Sequence, residues 1–342
     1  MTVKKDITIY DIATQLNLSS STVSRALQNY STINIKTRRR VQQAAIDLGY
    51  RYNTLASNLR QQRTNTIGVM VHELNSTFMA SVLAGIEKVT SSMGFSLIIA
   101  HSSESHEKEV ENALTLFDKR VDGVLVSLAL DTNDLNHFKR FEEKGIPVVF
   151  FDRVEEKSSY IKVVIDNYKC GYQATQHLIE QGCKKIALVT SNLGRNVYSQ
   201  RHLGYADALY DNDISLNEDY LFITDLSEQS GVQAAENILK MNPIPDGAFI
   251  TNDFTAAVCM QTFKGHGIRV PEDIAVVGFN NDAIGKYIDP TLTTVDYPGI
   301  DIGEIAARNL VSHLKGLSNI HYTDTIVIRS NLIVRKSSLR KG

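Results

Sequence analysis

No stretch of the sequence reaches 18 consecutive apolar residues, so a membrane-spanning helix is not expected. The opening segment, MTVKKDITIYDIA, lacks the apolar core and small-residue cleavage site of an export signal, which points to a cytoplasmic protein. Cysteine is scarce. Cys170, Cys183 and Cys259 are odd in number and lack metal-ligand spacing, which argues against a disulfide framework and for buried free thiols in a reducing compartment. Catalytic signatures are missing as well: there is no GxGxxG after a strand, no phosphate-loop lysine and no serine elbow. Neither an enzyme nor a cofactor is expected. His101, His106 and Glu107 are of metal-binding types, but they read as a solvated loop entering the acidic first turn of a helix, and no metal site is expected.

Core-forming material is plentiful. A chain of 342 residues, 43% hydrophobic and 22% charged, is too long for one ordinary domain and suits two or three. Its net charge of −2 conceals an asymmetry. Residues 1–63 carry ten Lys/Arg against three acids, Asp6, Asp11 and Asp47, about +7 in all, which leaves about −9 for the remainder. A small basic module on a large acidic one suggests that only the first meets a polyanion; a solvated basic tail is the plainer alternative.

The basic module has a local grammar. Thr8 reads as an N-cap, with Asp11 three residues on as a capping-box acid, and a helix then runs through Ile12, Ala13 and Leu16. Asn17 tolerates a left-handed turn, and Ser19 can cap a second helix, SSTVSRALQ. Ala13 is small where two helices must cross, and Leu18 and Val23 supply a miniature core. Two short helices joined by a tight turn, the second rich in hydroxyls and arginine, form a helix-turn-helix. A third helix is predicted over Lys36 to Leu48, stopped by Gly49, with Arg38, Arg39 and Arg40 near its start suited to phosphate contacts.

Beyond residue 66, the apolar runs TIGVMV, FSLIIA, DGVLVSL and IPVVFFD alternate with helical segments. A second series, KKIALVTS, LFIT, GAFITND and IAVVGFN, follows Asp166. This is the alternation of a parallel sheet covered on both faces, occurring twice. Ligands of such sheets bind beyond the carboxyl ends of the strands, here the loops after Val71, Phe151, Thr190, Ile250 and Phe279.

TIYDIATQLNLSSSTVSRALQ with KTRRRVQQAAIDLGY resembles the headpiece of LacI/GalR regulators, and RVPEDIAVVGFNND, DPTLTTV and IVIRSNLIVRKSS extend the resemblance across the core. It implies an all-α helix-turn-helix headpiece (1–52), a hinge (53–63) and an α/β core (64–342) of two parallel-sheet lobes similar to type I periplasmic binding proteins. The N-lobe would comprise about 64–165 and 296–328, and the C-lobe about 166–295 and 329–342. Ser20, Ser21 and Arg25 would face base edges in the major groove, where arginine can grip guanine bidentately. Tyr10, Thr22, Ser24 and Tyr50 would lie nearer phosphates, and Thr8 and Arg38 would also belong to the DNA-binding surface. Asn53, Ala56 and Leu59 would belong to a hinge helix that forms on DNA and wedges a leucine into the minor groove. Tyr52 departs from the proline of many relatives.

The resemblance also implies an effector pocket of Phe78, Asp152, Arg195, Arg201, Asn252, Asp253 and Asn280. All but Asn280 have a plainer role open to them: interlobe packing for Phe78, an ion pair with Arg153 for Asp152, a surface ion pair for Arg201, turn capping for Asn252 and Asp253, a solvent-facing loop for Arg195. Asn280 replaces the aspartate of many members, and Leu226 stands where several binders place an aromatic. The implied protein is a homodimeric repressor of a palindromic operator, under control of a sugar-like effector. A nucleoside or purine effector, a sugar-binding protein that ignores DNA, and an enzyme on the same core are the alternatives. No heptad zipper follows IVRKSSLRKG, so a dimer is expected rather than a tetramer.

Overall fold

The computed structural model describes residues 7–50 and 63–340. It divides into two units, Met1–Thr64 and Asn65–Gly342. Among the described residues, no helix is long and apolar enough to cross a membrane.

Among the described residues, the first unit has three helices, α1 (Ile9–Leu16), α2 (Ser20–Leu27) and α3 (Ile35–Leu48). The Thr8 amide and hydroxyl both donate to Asp11 Oδ2, at 2.7 and 2.6 Å, which starts α1. Asn17 then turns left-handed (φ 51°), the Leu18 amide donates back to the Ala13 carbonyl at 2.9 Å, and Ser19 Oγ accepts the Thr22 amide to open α2. Gly49 (φ 69°) ends α3, with the Tyr50 amide on the Ala45 carbonyl at 2.8 Å. Ile12, Ala13, Val23, Ala26, Val41, Ala44 and Ala45 form the core of this unit. The alanines are what let three short helices cross closely enough to exclude water with so few residues.

The second unit contains two six-stranded sheets. In the first, the strands are β1 (Thr66–Val71), β2 (Ser96–His101), β3 (Gly123–Val126), β4 (Val148–Phe151), β5 (Ile161–Ile165) and β11 (Thr325–Ile328), in the order β11-β5-β4-β3-β1-β2 and all parallel. The second holds β6 (Ile186–Thr190), β7 (Leu221–Ile223), β8 (Gly247–Ile250), β9 (Ala275–Asn280), β10 (Thr293–Asp296) and β12 (Leu332–Ile333), in the order β12-β10-β9-β8-β6-β7. Only β12 is antiparallel to its neighbour. Helices α4 (Thr77–Ser92), α5 (His106–Asp118) and α6 (Lys139–Glu143) belong to the first lobe. Helices α7 (Asn167–Glu180), α8 (Asn196–Asp211), α9 (Glu228–Lys240), α10 (Asp253–Gly265) and α11 (Ile284–Tyr287) belong to the second. The chain returns to the first lobe after β10, where α12 (Gly299–Leu314) packs on α4, and leaves it again between β11 and β12.

Eight of the twelve strands coincide with the apolar runs quoted above. The other four escape that reading for physical reasons: Lys162 interrupts β5, β10 reads TTVD, and β11 and β12 are short outer strands with partly exposed side chains. In both sheets the order reverses between the first and third strands of the lobe, and the carboxyl ends at that reversal form a crevice.

Each lobe also has one pair of helices whose backbones touch. A Cβ on Gly171 (α7) would fall on the Arg201 backbone of α8, and one on Gly204 would fall on Tyr168. Gly85 of α4 and Gly303 of α12 repeat the arrangement in the first lobe. Backbone cannot yield as a side-chain tip does. Gly171→Ala should therefore destabilise the core by about 2–3 kcal/mol, as for overpacking of a tight interior. Gly265→Ala, with nothing within 4 Å of the added carbon, should be neutral or slightly stabilising. Urea midpoints of the two variants check this; equal midpoints would mean that α7 and α8 can separate freely.

Candidate functional site

Helix α2 presents one outward face. Ser21 and Arg25 are exposed, Ser20, Thr22 and Ser24 are half-buried, and Val23 and Ala26 turn inward. The hydroxyls are ordered before any partner arrives: Ser19 Oγ lies 2.9 Å from Ser21 Oγ and 2.8 Å from Thr22 Oγ1. Tyr10 is 64% exposed on α1, while Thr8 and Tyr50 are half-buried. Arg38 differs from the phosphate-facing role expected of it. Its guanidinium folds back to donate to the Tyr30 and Ile33 carbonyls, at 2.9 and 3.2 Å, because the α2–α3 loop leaves those carbonyls without helical partners. Its neighbours Arg39 and Arg40 are exposed. Asn53, Ala56 and Leu59 lie outside the described residues.

Asp152 follows β4 in a left-handed conformation (φ 59°) that a short polar side chain tolerates, and it is buried. Its carboxylate accepts the Tyr297 hydroxyl at 2.5 Å and the Ser127 hydroxyl at 3.0 Å. His72 Nδ1 lies 3.0 Å from the same Ser127 Oγ. Burial, and then the Arg153 charge, hold the His72 imidazole well below its ordinary pKa, so it is neutral. Arg153 forms its ion pair with Glu104, at 2.7 Å, rather than with Asp152, and its other arm donates to Tyr198 Oη at 3.1 Å.

Arg201 is buried in the interior, which excludes the surface ion pair. Its Nε donates to Asn167 Oδ1 at 2.9 Å, Nη1 donates to the Thr251 carbonyl at 3.3 Å, and the guanidinium carbon sits 3.5 Å from the Phe279 ring centre. Phe78 stacks on Tyr297 with ring centres 4.1 Å apart and 16° between planes, and Tyr297 meets Phe279 edge-on at 5.6 Å. Phe78, Asp152, Arg201, Phe279 and Tyr297 are thus one continuous cluster linking the lobes. A void of about 260 Å³ bordered by Lys162, Asn167, Asn196 and Gln200 opens nearby. The surroundings of Asp152 and Arg201 are filled by their own neighbours.

The remaining candidates are more structural. Arg195 is buried and donates across the lobes to the Thr132 carbonyl, so it is not a solvent-facing arginine. Asn252 caps α10 by accepting the Thr255 amide at 3.0 Å. Asp253 is fully buried and accepts the Thr294 hydroxyl at 2.7 Å and the Asp282 amide at 2.8 Å. Asn280 adopts φ 120° at the end of β9. Leu226 packs against the second-lobe core. Sequence reasoning missed His72, Ser127, Asn167, Tyr198 and Tyr297. For His72 and Ser127 the signal is visible: a lone polar residue closing an apolar strand run at the crevice. Asn167 and Tyr297 sit at lobe crossings, where periodicity is silent.

A model of the bacterial regulatory proteins of the lacI family matches residues 8–53, and one of periplasmic binding protein-like domains matches residues 175–338. The transcriptional repressor PurR of Vibrio atlanticus (strain LGP32) is 32% identical over 308 residues, covering 90% of this chain and 92% of that protein. The chain belongs to the LacI family. It is accordingly a DNA-binding transcription regulator, in a family of regulators rather than of enzymes. The solved complex of the regulator CelR with cellobiose superposes with a TM-score of 0.72 at 29% identity, covering 97% of this chain and 99% of that one. The lac repressor bound to ONPG in its repressed state gives 0.86 at 25%, covering 97% and 100%.

Within this LacI-family core, Asp253 supplies a pH test. Burial pushes its pKa up to about 7 against the opposing pull of its hydrogen bonds. The unfolded carboxyl ionises near 4, so between about pH 4 and 7 the folded state holds the extra proton, and stability falls as pH rises. The penalty reaches at most about 4 kcal/mol above pH 7. Asp253→Asn lacks it. Denaturant midpoints should show wild type losing ground to Asp253→Asn from pH 4 to 7, whereas parallel pH profiles would mean Asp253 is ionised in the fold.

Proposed function

We propose that the chain is a cytoplasmic homodimeric repressor that reads a palindromic operator through α2 and is controlled by a sugar or sugar derivative held between the lobes. The observation that carries this reading is a buried carboxylate and a buried guanidinium, Asp152 and Arg201, in one aromatic-lined cluster at the carboxyl ends of two facing sheets. A carboxylate accepts from adjacent sugar hydroxyls, a planar guanidinium donates to them, and ring faces pack the C–H surface of a pyranose. Tyr297 and Ser127 donate to Asp152 as sugar hydroxyls would. A hydroxyl-rich ligand therefore competes with them, and its binding alters contacts that join the lobes. The cellobiose complex of CelR supports a sugar in a related core. The cleft is assigned to binding and not to turnover.

At the DNA end we assign base contacts to Ser20, Ser21 and Arg25, and a minor-groove wedge to Leu59. The edge strand β2, with Ile99 half exposed, supports a paired surface in the first lobe. Two dimeric headpieces should bind DNA with a steep loss of affinity as salt rises, through counterion release. Arg25→Ala should cost about 1–3 kcal/mol on the preferred site and relax specificity at one base pair per half-site. A fragment of residues 64–342 should lose DNA binding. Gel shifts across a salt series check both, and retention of DNA by that fragment would overturn the assignment of the reader.

A thermal-shift screen of neutral sugars, sugar acids, sugar phosphates and nucleosides tests the cleft. Arg201→Ala should weaken binding of the active compound by about 2–5 kcal/mol, as for loss of a buried, hydrogen-bonded charge partner. A response to nucleosides alone, or unchanged affinity in Arg201→Ala, would refute a sugar site built on these residues.

A further inference from the structure

Glu109 sits one turn into α5, directly below His106 on the same helix face, and His137 reaches it from the short helical turn Asn136–Phe138. One donor atom from each of His106, Glu109 and His137 lies within 4.8 Å of the other two. Glu109 and His137 are almost wholly buried, with side chains 1% and 4% exposed, and His137 Nε2 is 3.0 Å from Glu109 Oε1. The two imidazoles meet edge-on at 5.2 Å. Nδ1 of His106 and Nδ1 of His137 are both buried without a hydrogen-bond partner. Buried imidazole nitrogens are seldom left so, since each forgoes the hydrogen bond that water would give.

We propose that His106, Glu109 and His137 form a binding site in the first lobe for one divalent transition-metal ion of the zinc class. Two imidazole nitrogens and one carboxylate oxygen are a donor set that suits zinc, with a fourth position left for water or an exogenous ligand. Magnesium and calcium, which want oxygen donors, are disfavoured. The Glu109 carboxylate is already held in position: it accepts the Ala129 amide at 2.8 Å and the Thr132 hydroxyl at 3.0 Å, which fix it as outer-shell partners fix a metal ligand. Access exists as well, because a cavity of about 410 Å³ borders His106, Asp134 and His137. Tetrahedral ligands about 2.0–2.1 Å from an ion stand roughly 3.4 Å apart, so the three donor atoms, within 4.8 Å of one another, would close up around the ion. The site is separate from the Asp152–Arg201 cluster and does not rest on its assignment.

The test uses the full-length protein stripped with chelator and titrated with Zn²⁺ by calorimetry and with Co²⁺ by absorption. One equivalent should bind, and Co²⁺ should give visible d–d bands of tetrahedral or five-coordinate intensity without a thiolate charge-transfer band, which excludes the three cysteines as ligands. His106→Ala removes a half-exposed side chain at the start of α5, so the fold should survive as judged by circular dichroism. It should weaken Zn²⁺ binding by about 100-fold or more and abolish the Co²⁺ spectrum. His137→Gln should do the same, while His321→Ala should bind as wild type. Absence of stoichiometric binding, a thiolate band, or unchanged affinity in folded His106→Ala would overturn the site.

Discussion

The core depends on how a guanidinium is kept in its interior. An unpaired buried cation is expensive, and no carboxylate bonds to Arg201 directly among the described contacts. Its charge is accommodated instead by the face of Phe279, the Asn167 side chain and the Thr251 carbonyl, with Tyr198 and Tyr297 at the margin. Burial draws its pKa below the ordinary arginine value, which for so strong a base leaves it charged. The glycine contact between α7 and α8 is part of the same arrangement. It lets the Arg201 backbone approach Gly171 closely and so sets how deep the side chain starts. A strand-end residue from β8, a strand-end ring from β9 and a helix N-terminal residue from α7 then converge on one planar group.

Around that cation the two lobes share polar contacts that are specific in direction and few. Asn196 at the start of α8 donates to the Asp152 carbonyl and accepts the Val154 amide, Arg195 reaches the Thr132 carbonyl, and Arg153 reaches Tyr198. Tyr297, at a crossing between lobes, ties Asp152 to the ring stack. Contacts of this kind fix the lobe position beside an apolar cluster that runs through both lobes. They can also be exchanged for contacts to a small polar molecule at modest net cost, since a hydrogen bond to protein replaces a hydrogen bond to ligand. That exchange is the physical basis of the ligand response proposed for the cleft.

The headpiece was the most legible part of the chain, because its determinants are local. Thr8 with Asp11, Asn17, Ser19 and Gly49 act within a turn of their own position, and each is found in the expected conformation or hydrogen bond. The core strands were legible where they are continuous apolar runs. Strand β10 was not, since its Thr293 and Thr294 are buried by bonding to Arg335, Ser338 and Asp253, partners that no periodicity announces. In the cleft, Asp152 and Arg201 could be marked from strand ends and motif, but their surroundings are assembled from residues far apart in the chain. Asp253 illustrates the converse: a carboxylate at a strand end drew attention as a ligand group, yet burial and two donors tie it into the second lobe.

The central claim is that occupancy of the Asp152–Arg201 cleft governs occupancy of DNA by the headpiece. The most direct measurement selects the preferred DNA of the full-length protein from a random library, then follows its fluorescence anisotropy while the cleft ligand is titrated. The account predicts that the ligand shifts the DNA affinity of wild type by about 5–150-fold, the usual range of such couplings, and leaves that of Asp152→Asn unmoved over the same range. A DNA affinity indifferent to a ligand that demonstrably binds the cleft, or a shift equally large in Asp152→Asn, would contradict it.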